Sequence, residues 1–392
     1  PQHRTAGYYL TGSQYRSRSY GAHGIGLGCG GCSTKQNEET VVTNRTLIVL
    51  AGALVIFGAL ALLGQQRQQP AETGDTLFLP GLQDELDAVE RLELVGAGEE
   101  VIATLERGST GWSVSERDGY PADLQKIRHT LLSLAEARIL EAKTATPEWH
   151  DRLGVEAMES QNAGGVAVTL IGSDVPVEVI VGDSTGSSGA YVRKAEEAQS
   201  YLIDRDPEVG SSATEWLATD ILSLPGNRIQ QVTVTHPDGE TLDILKQTSE
   251  QTDFTVEGIP EGRELQYESV ANVMSNVLAN LSLQDVESRT QGDEPITITE
   301  FRTFDGLVLT AESIERGEDA WVAFEVNYEP PSQSAEPLGE ENLASENGPD
   351  PDSEARELAE QLGGWRYQIA TYQFDQLTRR MSDLLRSLPD ES

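Results

Sequence analysis

Gly182-Asp183-Ser184-Thr185-Gly186 has the Gly-x-Ser-x-Gly spacing of a nucleophile elbow and follows an apolar run, so Ser184 is the first candidate for acyl-transfer chemistry. An elbow also needs a helix directly after its serine. Here Gly186, Ser187, Ser188 and Gly189 lead straight into Ala190-Tyr191-Val192, and small residues between two apolar runs read as a hairpin loop. A serine hydrolase using Ser184 is therefore an alternative and not the leading reading. Other chemistry-bearing patterns are weaker. His129, His150 and His236 are scattered and lack any paired metal-ligand spacing. Cys29-Gly30-Gly31-Cys32 has the spacing of a redox or metal pair, but no second pair accompanies it. Gly26-Leu27-Gly28-Cys29-Gly30-Gly31 fits Gly-x-Gly-x-x-Gly without the strand that a dinucleotide site requires. Asp350-Pro351-Asp352 offers carboxylates for calcium, yet its proline and missing ligand ladder argue against a binding loop. No catalytic, cofactor-binding or metal residue is assigned, and no cofactor is implied. The aromatics Trp112, Tyr120, Trp149, Tyr191, Trp216 and Trp321 are expected in the core.

The elements around these residues begin with a membrane anchor. Leu47 to Gly64 reads LIVLAGALVIFGALALLG, without a charge or a polar face. A helix of that length spans about 27 Å, close to the hydrocarbon thickness of a bilayer. Leu62-Leu63-Gly64-Gln65-Gln66 is not a small-x-small cleavage site, so an uncleaved anchor at 44–64 is expected, followed by a linker at 65–77. Lys35 and Arg45 on the near side favour a cytoplasmic N-terminus, against the single Arg67 beyond the run. Translation is expected to begin near Val42, leaving residues 1–41 a disordered or mis-annotated extension. The formal charge is −37, with 65 acidic and 28 basic residues, and Glu38 and Glu39 are the only acids before Pro70. So acidic a surface repels nucleic acid and anionic headgroups, which excludes nucleic acid as a partner. Both cysteines precede the apolar run, so the large acidic part must be held by its core and not by disulfides.

Beyond the linker the chain reads as two divergent copies of one unit, at 78–224 and 225–392. Val89 to Leu94 alternates apolar and polar residues, as does Ile229 to Val234, and each run is followed by a turn. Trp112-Ser113-Val114 then matches Phe254-Thr255-Val256. Amphipathic helices follow, with Leu124, Ile127, Leu131 and Leu134 on one face in the first copy and Asp123 as N-cap. Val270, Val273, Val277 and Leu281 play that part in the second. Val166 to Leu170 matches Ile296 to Ile298, and Val177 to Val181 matches Leu307 to Leu309. Ala190 to Val192 matches Ala320 to Val322, and Tyr201 to Ile203 matches Tyr367 to Ile369. The register lengthens before the last pair, which locates an insertion at about 329–363. Its Pro, Glu, Ser, Asn and Asp content predicts a disordered acidic loop. Closing helices are expected around Trp216 to Leu222 and Phe374 to Leu388. The fold class is α+β: an N-terminal transmembrane helix, then two copies of a mainly antiparallel sheet-plus-helix unit.

Several of these runs together resemble the domain-of-unknown-function 4340 family. They are Phe78-Leu79-Pro80-Gly81-Leu82, the strand at Val89, Gly111-Trp112-Ser113-Val114, Glu116 to Asp123, Leu153-Gly154-Val155 and Gly189 to Arg193. The resemblance extends from about Leu47 to the end, leaving out the insertion and residues 1–41. It implies a bacterial envelope protein with one N-terminal anchor in the inner membrane, its N-terminus cytoplasmic and its large domain periplasmic. It further implies a place beside ABC-type transporter subunits akin to gliding-motility proteins, and it supplies no catalytic residues. The expectation is a non-enzymatic accessory or scaffold protein whose partners are the inner-membrane bilayer and those subunits. A periplasmic ligand-binding module, gripping its ligand between the two copies, is the other alternative.

Overall fold

The period-two runs become strands whose apolar residues turn to one side. In β1 (Arg91–Val95), Leu92 and Leu94 are fully buried between half-exposed neighbours. The computed structural model describes residues 76–172, 177–186, 189–289, 295–331 and 350–387. The expected anchor, Cys29, Cys32 and the glycine-rich run at 26–31 lie outside them. No helix among the described residues is long and apolar enough to cross a membrane.

The short helix α1 (Leu82–Glu85) and β1 open the first half. There follow β2 (Val101–Gly108), β3 (Gly111–Val114), β4 (Tyr120–Pro121), α2 (Leu124–Ala135), β5 (Ile139–Ala142), β6 (Val166–Ile171), β7 (Val177–Ser184), β8 (Ala190–Lys194) and β9 (Ser200–Ile203). These strands form one antiparallel sheet in the order β4-β3-β2-β1-β6-β7-β8-β9-β5. Asp123 caps α2 by accepting from the Gln125 and Lys126 N–H groups, at 2.8 and 3.2 Å. Ile127, Leu131 and Leu134 bury its inner face, whereas Leu124 stays 43% exposed and does not belong to it.

The second half contains β10 (Asp220–Leu222), β11 (Ile229–Thr235), β12 (Thr241–Leu245), β13 (Thr255–Val256), α3 (Asn272–Asn276), β14 (Leu281–Ser288), β15 (Thr297–Thr303), β16 (Leu307–Arg316), β17 (Asp319–Tyr328), α4 (Pro351–Leu362), β18 (Trp365–Ile369), α5 (Thr371–Leu377) and α6 (Met381–Leu384). Its sheet runs β13-β12-β11-β15-β16-β17-β18-β14-β10. Strand for strand, β13-β12-β11-β15-β16-β17-β18-β14 repeats the order β3-β2-β1-β6-β7-β8-β9-β5 of the first sheet. One apolar cluster runs through both sheets, from Phe78 to Leu384.

Several local expectations are corrected. The helical period at Val270, Val273 and Val277 ends in a 3-10 turn (Val277–Asn280), and Leu281 begins β14 instead of closing a helix. Trp216 to Leu222 is not a helix: a 3-10 turn (Ala213–Trp216) leads into β10, which adds to the second sheet although it precedes residue 225. The C-terminal stretch is divided between α5 and α6. Within the predicted acidic loop, 350–363 is ordered. Asp350 caps α4, Pro351 occupies its first turn, and Ala355 and Leu362 are buried. Residues 332–349 lie outside the described ones.

The match of β6 with β15 also slips by one residue. Leu94 pairs with Val168 in the first sheet and Val234 with Thr299 in the second, so Thr299, not Ile298, holds the place in its sheet that Val168 holds in the first. A slip of one reverses which side chains face the core. Ile298 is accordingly 39% exposed while Thr297, Thr299 and Thr303 are buried. Their hydroxyls find partners there: Thr297 Oγ1 lies 3.1 Å from His236 Nδ1, and Thr299 Oγ1 donates to the Leu377 carbonyl at 2.6 Å. Thr303 Oγ1 accepts from the Leu307 N–H at 2.8 Å. Replacing Thr299 by Val is expected to leave the Leu377 carbonyl without this donor and cost about 1–3 kcal/mol. Ile298→Thr is expected to stay within about 0.5 kcal/mol of wild type, both read from urea unfolding.

Candidate functional site

Ser184 sits exposed at the end of β7, and the chain turns back at once into β8. Its Oγ accepts weakly from the Gly186 N–H at 3.4 Å. The three histidines are engaged elsewhere. His150 Nε2 contacts the Ala198 carbonyl at 2.9 Å, and His129 Nε2 the Asp206 carbonyl at 3.2 Å. His236 bridges Thr297 and the Arg379 carbonyl. None of these contacts brings an imidazole to Ser184. Asp350 is spent on the cap of α4, where it accepts from the Ser353 N–H and hydroxyl, and Asp352 pairs with Arg356. Among the described residues no group of three or more His, Cys, Asp or Glu could hold a metal. Trp149, expected inside, is 55% exposed beneath the Arg152 guanidinium.

The run Glu116 to Asp123 is where the two sheets meet. Glu116 accepts from the Thr104 N–H at 2.7 Å, fixing the turn after β3. Arg117 then forms a bidentate pair with Asp285 of β14, Nε at 2.5 Å and Nη2 at 3.1 Å. A register shift in β14 between Leu283 and Asp285 turns that carboxylate toward it. Asp118 accepts from the Ser288 N–H at 3.2 Å and itself has a left-handed backbone, φ 55°, followed by Gly119 at φ 79°. This double left-handed turn places Tyr120, 6% exposed, against the second sheet. Its ring meets Trp365 edge-on at 5.0 Å and Tyr367 at 6.2 Å. The connection between the halves closes the seam: Asp123 N–H donates to the Trp216 carbonyl at 2.7 Å and Ala218 N–H to the Pro121 carbonyl at 3.0 Å. Burial, aided by nearby Asp220, pushes the Tyr120 hydroxyl up to about 12. The Tyr367 hydroxyl is raised for the same first reason, with Tyr120 adding to it.

Leu153-Gly154-Val155 and Gly189 to Arg193 converge on the outer face of the first sheet. Gly154, Gly165 and Gly182 let backbones touch there: a Cβ on Gly165 would fall 2.1 Å from the Gly154 carbonyl, and one on Gly182 2.1 Å from that of Leu153. The strap from 147 to 165 is thereby laid across the sheet over a small apolar cluster of Val155, Met158, Ala167 and Ile180. Gly98 and Glu99 N–H donate to the Ser160 and Met158 carbonyls, both at 3.0 Å. Arg193, 5% exposed, braces the strap from below. Its Nε donates to the Val155 carbonyl at 2.7 Å, and Nη1 to those of Ala195 and Glu197 at 2.9 and 3.0 Å. Burial lowers its pKa, opposed by Glu159 and Glu156. Beside the strap lies a cleft of about 490 Å³. A second, of about 480 Å³, lies between β10, the start of β14 and α4. Neither of these two clefts lies between the two sheets.

Residues 112–298, a little under half of the chain, match the family model described as Domain of unknown function (DUF4340), and this stretch belongs to that family. The matched span holds the seam motif, the strap and Arg193, while Phe78 to Leu82 and Val89 precede it. No curated protein and no solved structure matches the chain. The seam and strap were singled out by sequence only as motifs. Their partners Asp285 and Trp365 carry no local signal, and Tyr367 is legible only as part of a strand, because only the long-range register of β14 and β18 brings them near.

Removing either side of the Arg117–Asp285 pair by alanine is expected to cost about 1–3 kcal/mol, with positive coupling in a double-mutant cycle. Since the Tyr120 pKa is raised on folding, its contribution is complete below pH 10 and is lost as pH rises toward about 12. Tyr120→Phe is expected to reduce that alkaline loss, measured by urea unfolding across the range. A fluorophosphonate serine probe is expected to leave the intact protein unlabelled, and Ser184-dependent labelling would revive the hydrolase reading.

Proposed function

We propose that this chain, with residues 112–298 in the DUF4340 family, is a membrane-anchored extracytoplasmic accessory or scaffold protein and not an enzyme. The observation that carries the reading is the use made of its most distinctive run. Glu116 fixes the turn after β3, Arg117, Asp118 and Tyr120 seat one sheet against the other, and Asp123 caps α2. Residues so consumed hold the two sheets together and leave no side chain over for chemistry there.

The way the chain enters this body supports a tether. Phe78, Leu79 and Leu82 are buried, and Phe78 N–H donates to the Ala137 carbonyl at 2.8 Å while Ile139 N–H donates to Thr76 at 2.9 Å. The segment following the apolar run at 47–64 is thus fixed to the first sheet beside β5. In this reading the anchor crosses the bacterial inner membrane with its N-terminus cytoplasmic, and the acidic body works in the periplasm. The partnership with ABC-type transporter subunits follows from the family resemblance, an analogy of kind and not of mechanism.

Two measurements test this. Cys29 and Cys32 are the chain's only cysteines. With Glu148→Cys added in intact spheroplasts, a membrane-impermeant maleimide is expected to label the new thiol and spare the native pair; the reverse pattern refutes the topology. Purification in mild detergent is expected to recover transporter subunits with the protein. Recovery without any of them, under conditions that keep known complexes together, counts against the partnership.

A further inference from the structure

The two sheets share a strand order but finish their outer faces differently. On the second, charged residues neutralise one another: Arg289 pairs with Glu312 and Glu325, Arg302 with Glu300 and Glu329, and Arg316 and Arg366 with Glu287. Matched strand for strand, Ile180–Arg193 of β7–β8 stands where the second sheet has Glu312–Ala323. The first sheet places its guanidinium under the strap and leaves its acids open. Glu99, Glu159, Glu178 and Glu196 line the 490 Å³ cleft, and none forms an ion pair among the described residues; Glu93 reaches only Arg91, at 3.9 Å. Val95, Ala167, Ile180 and Met158 supply an apolar floor. Arg193 is the cleft's single cation. Its Nε and Nη1 are used on carbonyls, but Nη2 has no acceptor among the described residues, and the side chain lines the cleft.

These features ask for different things of one ligand. Five carboxylates around a half-apolar trough attract cationic groups. A buried donor with a free N–H between them takes a neutral acceptor, since an anion there would face Glu156 and Glu159. The floor takes apolar side chains. An extended peptide carrying lysine or arginine beside aliphatic residues meets all three at once, with a backbone carbonyl for Arg193. A small polyamine meets only the first.

We propose that this cleft binds a basic, extended peptide segment of a partner protein, its cationic side chains among Glu93, Glu99, Glu159, Glu178 and Glu196 and one carbonyl on Arg193 Nη2. The site stands on the first sheet alone and does not depend on the transporter reading.

The test uses the full chain in a neutral detergent and a fluorescein-labelled, end-blocked heptapeptide alternating lysine and valine, at about 150 mM salt. Wild type is expected to bind saturably. Glu159→Lys with Glu178→Lys is expected to weaken binding at least tenfold. Glu148→Lys with Asp151→Lys, the same charge change on exposed strap residues that do not line the cleft, is expected to leave it within about twofold. All four positions are exposed, so melting temperatures should agree, which confirms that folding is not the cause. Equal weakening by both double variants, or none by the cleft pair, overturns the site. Displacement of the peptide by an equal concentration of spermine overturns the peptide assignment, because charge alone would then suffice. Absence of saturable binding overturns both.

Discussion

The arrangement turns on one contact within the core shared by the two sheets: Arg117 and Tyr120, carried on the edge of the first sheet, set into β14 and β18 of the second. β4 is two residues long and ends its sheet, so its outer edge would be free to pair with another chain. The connection at Trp216 to Ala218 covers that edge, and the aromatic contact of Tyr120 with Trp365 and Tyr367 fills the space beneath. Because Arg117 and Asp285 are each about a quarter exposed, their pair escapes much of the desolvation penalty of a buried one while keeping bidentate direction. Its larger contribution is geometric: a fork-to-fork pair at a bulge permits one register of β14 and not its neighbours. Tyr120, being buried, supplies the greater share of the stabilisation by burial.

This seam has a consequence for the repeat. Two copies joined through a polar linker would move independently, whereas here a single apolar cluster passes from Phe78 to Leu384. Both inner faces contribute to that core, and the copies differ most plainly on their outer faces. The second copy is finished with a lattice of paired charges. The first carries a strap, three glycines in backbone contact and a buried arginine. Two sheets of equal order therefore answer different demands, one carrying paired charges across its outer face and the other open along a trough.

The sequence made the period-two strands legible because alternation is imposed locally by the pleat. It likewise announced α2 through Asp123 and the spacing of Ile127, Leu131 and Leu134. What escaped it was decided at a distance. β5 buries little, its pattern runs to exposed residues, and it exists as a strand because β9 and the entering chain at Thr76 to Phe78 hold it. β14 was hidden because Leu281 continues a helical period that the 3-10 turn ends. The register of β15 was misread because threonine passes as a surface residue until its hydroxyl has a buried partner, as Thr299 has in Leu377. Arg193 was visible as part of a motif, yet its burial could not be read, since the carbonyls it serves come from the strap at Val155 and from the turn after β8 at Ala195 and Glu197.

The same limit explains why the seam reads as a motif before it reads as a mechanism. A run such as Glu116-Arg117-Asp118-Gly119-Tyr120 has a carboxylate, a guanidinium and a phenol within five residues, which elsewhere would suggest acid–base work. Catalysis needs those groups to face a common space that a substrate can enter. Here Glu116 turns back to Thr104, Arg117 and Asp118 turn to β14, and Tyr120 turns into the core. Two successive left-handed residues produce that divergence, with Asp118 and Gly119 reversing the chain so that neighbours in sequence leave in opposite directions. The turn that brings the two sheets together is thus the same feature that disperses the reactive groups of this run.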